Sequence, residues 1–122
     1  MKISIDKTPK KYFQITRETI KKFCQKNSLN PKLSVSIFFI SDQKMRSLNK
    51  KYRQINKTTD ILSFPIWEKL HDIPKKGEVN LGDIFISSKE FIKNAAIKKI
   101  SPEAELEFLI IHGLNHLIGK HH

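Results

Sequence analysis

Cysteine occurs once in the 122 residues, at Cys24, so no disulfide can form within the chain and the sequence reads as that of a protein from a reducing, cytoplasmic compartment. Long hydrophobic runs are also missing. The longest, Ile37 to Ile40 and Phe108 to Ile111, are far shorter than the roughly 20 residues of a membrane-spanning helix. The first residues, Met1-Lys2-Ile3-Ser4-Ile5-Asp6-Lys7, carry charges where a signal peptide needs its apolar stretch. Secretory and membrane-spanning readings are therefore excluded. Acidic residues are scarce: 12 Asp and Glu stand against 23 Lys and Arg, a formal net charge of +11. Such an excess favours polyanionic partners, because basic side chains displace the counterions condensed on phosphates. Taken alone it equally marks a Lys-, Ile- and Asn-rich composition.

Glycine is sparse as well, and Gly77, Gly82, Gly113 and Gly119 all fall in the second half. With no repeat, low-complexity tract or Gly/Ser linker, residues 1–122 read as one domain. Hydrophobic residues make up 39% of the chain. A chain of this size buries roughly 65% of the surface its unfolded form exposes, so it holds a core without a structural metal, and any metal would serve function.

After a short apolar start at Ile3 to Ile5, Thr8-Pro9 suits a helix entrance, and Tyr12, Phe13, Thr16, Ile20, Phe23 and Cys24 recur at helical spacing. Val35 to Ile40 reads as a buried strand, and Ser41-Asp42 offers a cap for a helix through about Lys50. Thr59 to Phe64, halted by Pro65, and Leu81 to Ile86 read as neighbouring strands. The long loop between them, Ile66 to Asn80, suits either a lid or a segment tacked to the core by Trp67 and Leu70. Ser87 or Ser88 can cap a helix covering Phe91, Ile92 and Ala95 and ending near Lys98-Lys99. Strands interleaved with helices indicate a mixed α and β layered fold.

Ser101-Pro102 opens the most informative helix, with Glu103 and Glu105 near its positive pole. Leu106, Leu109, Ile110, Gly113, Leu114 and Leu117 form one apolar stripe that faces the core, and Gly119 suits a left-handed helix end. His112 and His116, four residues apart, lie about 40° apart around the axis and stack on one face. Both imidazoles can reach one ion. Beyond the turn, His121 and His122 can fold back to supply a third nitrogen. Three neutral imidazoles with an open position describe a catalytic zinc site, which points to a hydrolase. The same histidines also suit the negative pole of a helix dipole, and a terminal His-His pair resembles the remnant of a purification tag. Gly113 stands where a His-Glu-x-x-His metalloprotease carries its general base, so that class does not apply.

The run His112-Gly-Leu-Asn-His116-Leu-Ile-Gly-Lys-His121-His122 resembles the His-Gly-x-x-His-Leu-x-Gly-x-x-His signature of the YbeY family, bacterial rRNA maturation factors described as metal-dependent single-strand endoribonucleases. Three further segments resemble the family in order: Leu48-Asn49-Lys-Lys-Tyr52-Arg53, Thr59-Asp60-Ile61-Leu62-Ser63-Phe64-Pro65 and Leu81-Gly82-Asp83-Ile84. The resemblance implies an α+β fold with a mixed β-sheet covered by helices, in a zincin-like arrangement around the His-bearing helix. It implies one Zn2+ per chain held by His112, His116 and His122, with other divalent transition metals also accepted by such ligands. Arg53 matches the family arginine implicated in RNA cleavage. Lys44, Arg46, Lys50, Lys51 and Lys57 surround it in sequence and offer an RNA track. Asp60 and Asp83 suit orienting the site or capping turns, and neither is assigned a catalytic role.

Three positions depart from the family pattern. His121 stands where the family usually has Asp, which makes His121 an alternative third ligand. The family tends to continue past its last histidine, so the resemblance would put the carboxylate of His122 beside the ion. Thr58 replaces a Pro often found before the Thr-Asp pair. The implied function is a metal-dependent single-strand-specific endoribonuclease acting on rRNA, in maturation of the 16S 3′ end and ribosome biogenesis, with the ribosome or ribosomal proteins as partners and no membrane. The alternatives are a non-catalytic ribosome-assembly or rRNA-binding factor and a metal-dependent hydrolase of another substrate.

Overall fold

In the computed structural model, which describes residues 2–6 and 10–120, the elements follow in the order β1 (Lys2–Asp6), α1 (Lys10–Lys26), β2 (Leu33–Ile40), α2 (Asp42–Arg53), β3 (Ile61–Pro65), a 3-10 turn (Leu70–Asp72), β4 (Val79–Ser87), α3 (Ser88–Lys98) and α4 (Pro102–Leu117). The strands form one mixed sheet in the order β1-β2-β4-β3. β1, β2 and β4 are parallel, and β3 closes one edge antiparallel to β4. The layered α and β architecture expected from the sequence is therefore present. Thr8-Pro9, the expected entrance of the first helix, lies outside the described residues.

Strict alternation sets which face of the sheet meets the helices. Along β2 the odd positions Leu33, Val35, Ile37 and Phe39 are buried, whereas Ser34, Ser36, Phe38 and Ile40 are half-buried. The buried face joins Ile84 and Ile86 of β4 to Tyr12, Ile20 and Phe23 of α1, Phe91 of α3 and the apolar stripe of α4 in one core. Among the described residues the opposite face is covered by α2, whose Met45 is fully buried. Phe13, expected among the buried positions of α1, is instead 41% exposed.

Local chemistry fixes the element ends. Ser41, Ser87 and Ser101 cap α2, α3 and α4, each hydroxyl accepting the N–H three residues on at 3.2, 3.3 and 3.1 Å. Each such cap contributes about 1 kcal/mol. α2 runs to Arg53 rather than ending near Lys50, because Lys-Lys-Tyr-Arg continues readily in helix until Gln54 turns left-handed and donates to the carbonyls of Asn49 and Lys50. The long loop is tacked down: the Trp67 indole donates to the Asn80 carbonyl at 2.9 Å, and Ile73 is buried.

Gly82 sits in a bulge of β4, where the register with β2 shifts between Ser34 and Ser36. Its φ is +131°, and a Cβ there would lie 2.2 Å from the Phe64 carbonyl oxygen of β3. Only glycine fits that approach. Gly82→Ala is expected to cost roughly 2–5 kcal/mol of stability in urea unfolding. A loss under about 0.5 kcal/mol, the range of ordinary surface substitutions, would show that β3 simply moves aside.

Candidate active site

α4 is held by both ends and by its middle. Glu105, 1% exposed in its first turns, accepts from the Lys98 ammonium at 2.8 Å and so ties the helix start to α3. The residues of the expected stripe, Leu106, Leu109, Ile110, Gly113, Leu114 and Leu117, are all buried. At Gly113 the helix presses on the sheet: a Cβ there would meet the Cδ1 atoms of Ile61 and Ile84 at 3.0 Å and the Ser63 hydroxyl at 3.1 Å. The helix end closes through Gly119, at φ +79°, whose backbone lies against Glu68 to Leu70 of the long loop. Lys120 then reaches Asn27 at the end of α1, 3.0 Å away.

Burying that stripe turns His112 outward to an exposed position and leaves His116 half-buried. Their ring centroids are 5.1 Å apart at an interplanar angle of 60°, and Phe108 stacks on His112 at 6.3 Å. Two imidazoles side by side on an accessible helix face suit a divalent transition metal, whose borderline-soft character favours nitrogen donors. Among the described residues no cluster of three His, Cys, Asp or Glu side chains forms a complete metal site. His121 and His122, the two candidates for a third nitrogen, lie outside the described residues, as does the terminal carboxylate.

Arg53 is the last residue of α2 and is exposed, and among the described residues no carboxylate pairs with it. Lys44, Lys50, Lys51 and Lys57 are also exposed. Arg46 is partly engaged, its Nε donating to Asn56 Oδ1 at 2.9 Å. The segment following α2 is braced by Asn49, buried, whose amide donates to the Lys57 carbonyl at 2.9 Å. Asp42 anchors the start of α2 by accepting from the Ser87 hydroxyl and, at 3.5 Å, from Thr58. Asp60 accepts from the Asn94 amide at 3.2 Å, so its carboxylate joins β3 to α3. Asp83 lies on the α2 side of β4.

The sequence matches the family model described as Endoribonuclease YbeY over residues 2–122. The chain belongs to this family. A relative named Endoribonuclease YbeY from Alkaliphilus metalliredigens is 37% identical over 93 residues, covering 76% of this chain and 60% of the relative. One from Thermodesulfovibrio yellowstonii is 40% identical over 90 residues, covering 74% and 54%. In both, the matched region is less than two thirds of the relative's length. A third, from Caldicellulosiruptor saccharolyticus, is 35% identical over 136 aligned positions, covering 100% of this chain and 85% of the relative. A solution structure from Thermotoga maritima shares the fold, with a TM-score of 0.66 at 24% identity, covering 96% of this chain and 72% of that one.

The segments that resemble YbeY fall on α2, β3, β4 and α4. Sequence reasoning missed Asn49 and Asp42 as braces, because a polar residue in a Lys-rich helix gives no sign of the backbone carbonyl or hydroxyl it will meet. Cys24 drops out of the site chemistry. It is buried in the core, and desolvation pushes its thiol up from 9.0 to about 11. A thiol so raised stays protonated at neutral pH, neither nucleophile nor ligand. Its contribution to stability is complete below pH 9.0 and is lost as pH rises toward about 11, where the unfolded chain ionises first. Accordingly, a disulfide reagent at pH 8 should label Cys24 only after denaturation. Labelling of the native protein at the rate of a free thiol would contradict this.

Proposed function

We propose that this chain is a metal-dependent, single-strand-specific endoribonuclease that acts in rRNA maturation, at the 16S 3′ end, with residues 1–122 forming one domain. The carrying observation is the pair His112 and His116, turned to the accessible side of a helix whose other face is locked into the core. These two rings would hold one zinc ion, with His122 or, alternatively, His121 as third ligand. The same donors also take nickel, copper or iron. A divalent ion in such a site supplies Lewis-acid activation of water and of a phosphoryl oxygen. In this reading the arrangement is zincin-like: α4 lies beneath the edge strand β3, and the loop after β3 packs on Gly119 at the end of α4.

The chain's own residues supply the remainder. Arg53 presents a planar guanidinium fork that grips two phosphate oxygens. Among the described residues no carboxylate competes for it, so there the guanidinium meets the phosphate without first breaking an ion pair. Lys50, Lys51 and Lys57 hold the flanking backbone, and Arg46 does so while bracing Asn56. The implied setting is the cytoplasm, with the ribosome or ribosomal proteins as partners; no described helix is long and apolar enough to cross a membrane.

Cleavage of single-stranded RNA by the zinc-loaded protein tests this reading. His116→Ala is expected to lower both bound zinc and cleavage to under about 1% of wild type. Arg53→Ala should keep its zinc yet cleave about 10²- to 10³-fold more slowly, as expected when a transition-state charge loses a preorganised donor. Full cleavage by His116→Ala would overturn the metal mechanism, and tight RNA binding without cleavage in any metal form would favour the assembly-factor alternative.

A further inference from the structure

The face of the sheet turned away from the histidines carries a connected row of rings. Register places Phe38 of β2 directly opposite Phe85 of β4, and the two stack at 4.9 Å with planes 17° apart. Phe64 of β3 meets Phe85 edge-on at 5.6 Å, and Tyr52 of α2 meets Phe64 edge-on at 5.1 Å. Phe38, Phe64 and Phe85 are half-buried, and Tyr52 is 52% exposed. None belongs to the main core, which lies under the other face. One exposed ring and three partly exposed ones on a half-covered sheet leave aromatic surface still to be buried, since a fully covered ring buries about 150–250 Å².

Charge indicates what covers them. The Lys51 ammonium lies 5.2 Å over the Tyr52 ring, and Arg53, which no carboxylate pairs among the described residues, follows next in the chain. Ser34 and Ser36 extend the same face of β2 with small polar groups that leave the rings accessible. Asp83, on the same face and opposite Phe64 in register, repels phosphate but accepts from base amino groups. Rings and a hydrogen-bond acceptor on the sheet, with cations at its border, match a single strand whose bases lie inward and phosphates outward.

We propose that Phe38, Phe85, Phe64 and Tyr52 form a stacking platform for unpaired RNA bases, with Lys51 and Arg53 on the adjoining phosphates. The proposal rests on the nuclease reading and locates where that enzyme grips its substrate. β3 links the two regions: its Ile61 and Ser63 side chains meet Gly113 of the histidine helix, whereas its Phe64 side chain belongs to the platform. A strand crossing this edge passes from the platform toward His112 and His116. Requiring unpaired bases for stacking would make the enzyme select single-stranded over duplex RNA before any chemistry.

The test uses the zinc-loaded full chain and a fluorescent, unstructured oligoribonucleotide of about a dozen nucleotides, within the range of known single-strand sites. An abasic ribose-phosphate strand of equal length and charge is the control. Binding is read by anisotropy, with probe integrity checked on a gel. Wild type should bind RNA about tenfold or more tighter than the abasic strand. Tyr52→Leu and Phe38→Leu should each remove most of that preference, and Tyr52→Phe, which keeps the ring, should retain it. A 4-thiouridine probe should crosslink to Tyr52 or Phe64, which gives a readout on wild type that needs no variant to fold. Equal binding of RNA and abasic strand, with cleavage intact, would overturn the platform, leave the nuclease reading standing and assign the rings to a protein partner. RNA that is neither bound nor cleaved would overturn both.

Discussion

The close approach of α4 to β3 and β4 at Gly113 is the constraint on which the rest of the molecule depends. With no side chain at that position, the helix axis can settle until Ile61 and Ile84 stand 3.0 Å and Ser63 3.1 Å from where a Cβ would be, tighter than an ordinary side-chain contact. The neighbouring apolar residues then reach the core, each buried leucine or isoleucine contributing roughly 1.5–3 kcal/mol. Because the helix repeats every 3.6 residues, fixing that face also fixes the opposite one. His112 and His116 cannot rotate away from their accessible side without lifting the stripe out of the core. Core burial thus aims the imidazoles, and no hydrogen bond needs to be invoked for it.

On the far side of the sheet, stiffness comes from polar braces. α2 buries little apolar surface beyond Met45, so packing alone would hold it loosely. Asn49 ties its last turns to the Lys57 carbonyl, and Asp42 ties its first turn to Ser87 at the cap of α3. A net hydrogen bond contributes about 1 kcal/mol, and a broken one leaves a buried polar group that costs more. Such pairing sets position more firmly than it adds stability. Arg53 is long and exposed, and its usefulness depends on where the helix end points, so these braces deliver a placed charge rather than a freely swinging one.

How legible this was in the sequence follows from range. Ser41, Ser87, Ser101 and Gly119 act within a few residues, and each stands where a reading of caps and turns puts it. The α4 stripe is periodic and was equally open to view. The histidine pair followed from spacing alone. What the sequence concealed acts over distance: the bulge at Gly82 is dictated by the Phe64 carbonyl of another strand, and the Asp42–Ser87 contact joins positions 45 apart. Ile66 to Asn80 is ambiguous in the sequence because anchors such as the Trp67 indole need a partner elsewhere in the fold, here a carbonyl on β4, that no local pattern announces. The phenylalanines were visible as strand residues, but which of them would meet depended on the register of three strands.

That register also accounts for the distribution of charge. A sheet needs one covered face for stability, and here α1, α3 and α4 cover it. The other face is released from that duty and can keep rings and serines half in water while basic side chains gather at its margin. Were the +11 charge spread evenly, it would attract any polyanion with equal indifference. Placed beside rings, the same charges distinguish a strand with free bases from a duplex whose bases are already stacked on one another. Selectivity then arises from the balance between two stacking partners, protein and neighbouring base, and requires no contact that reads sequence.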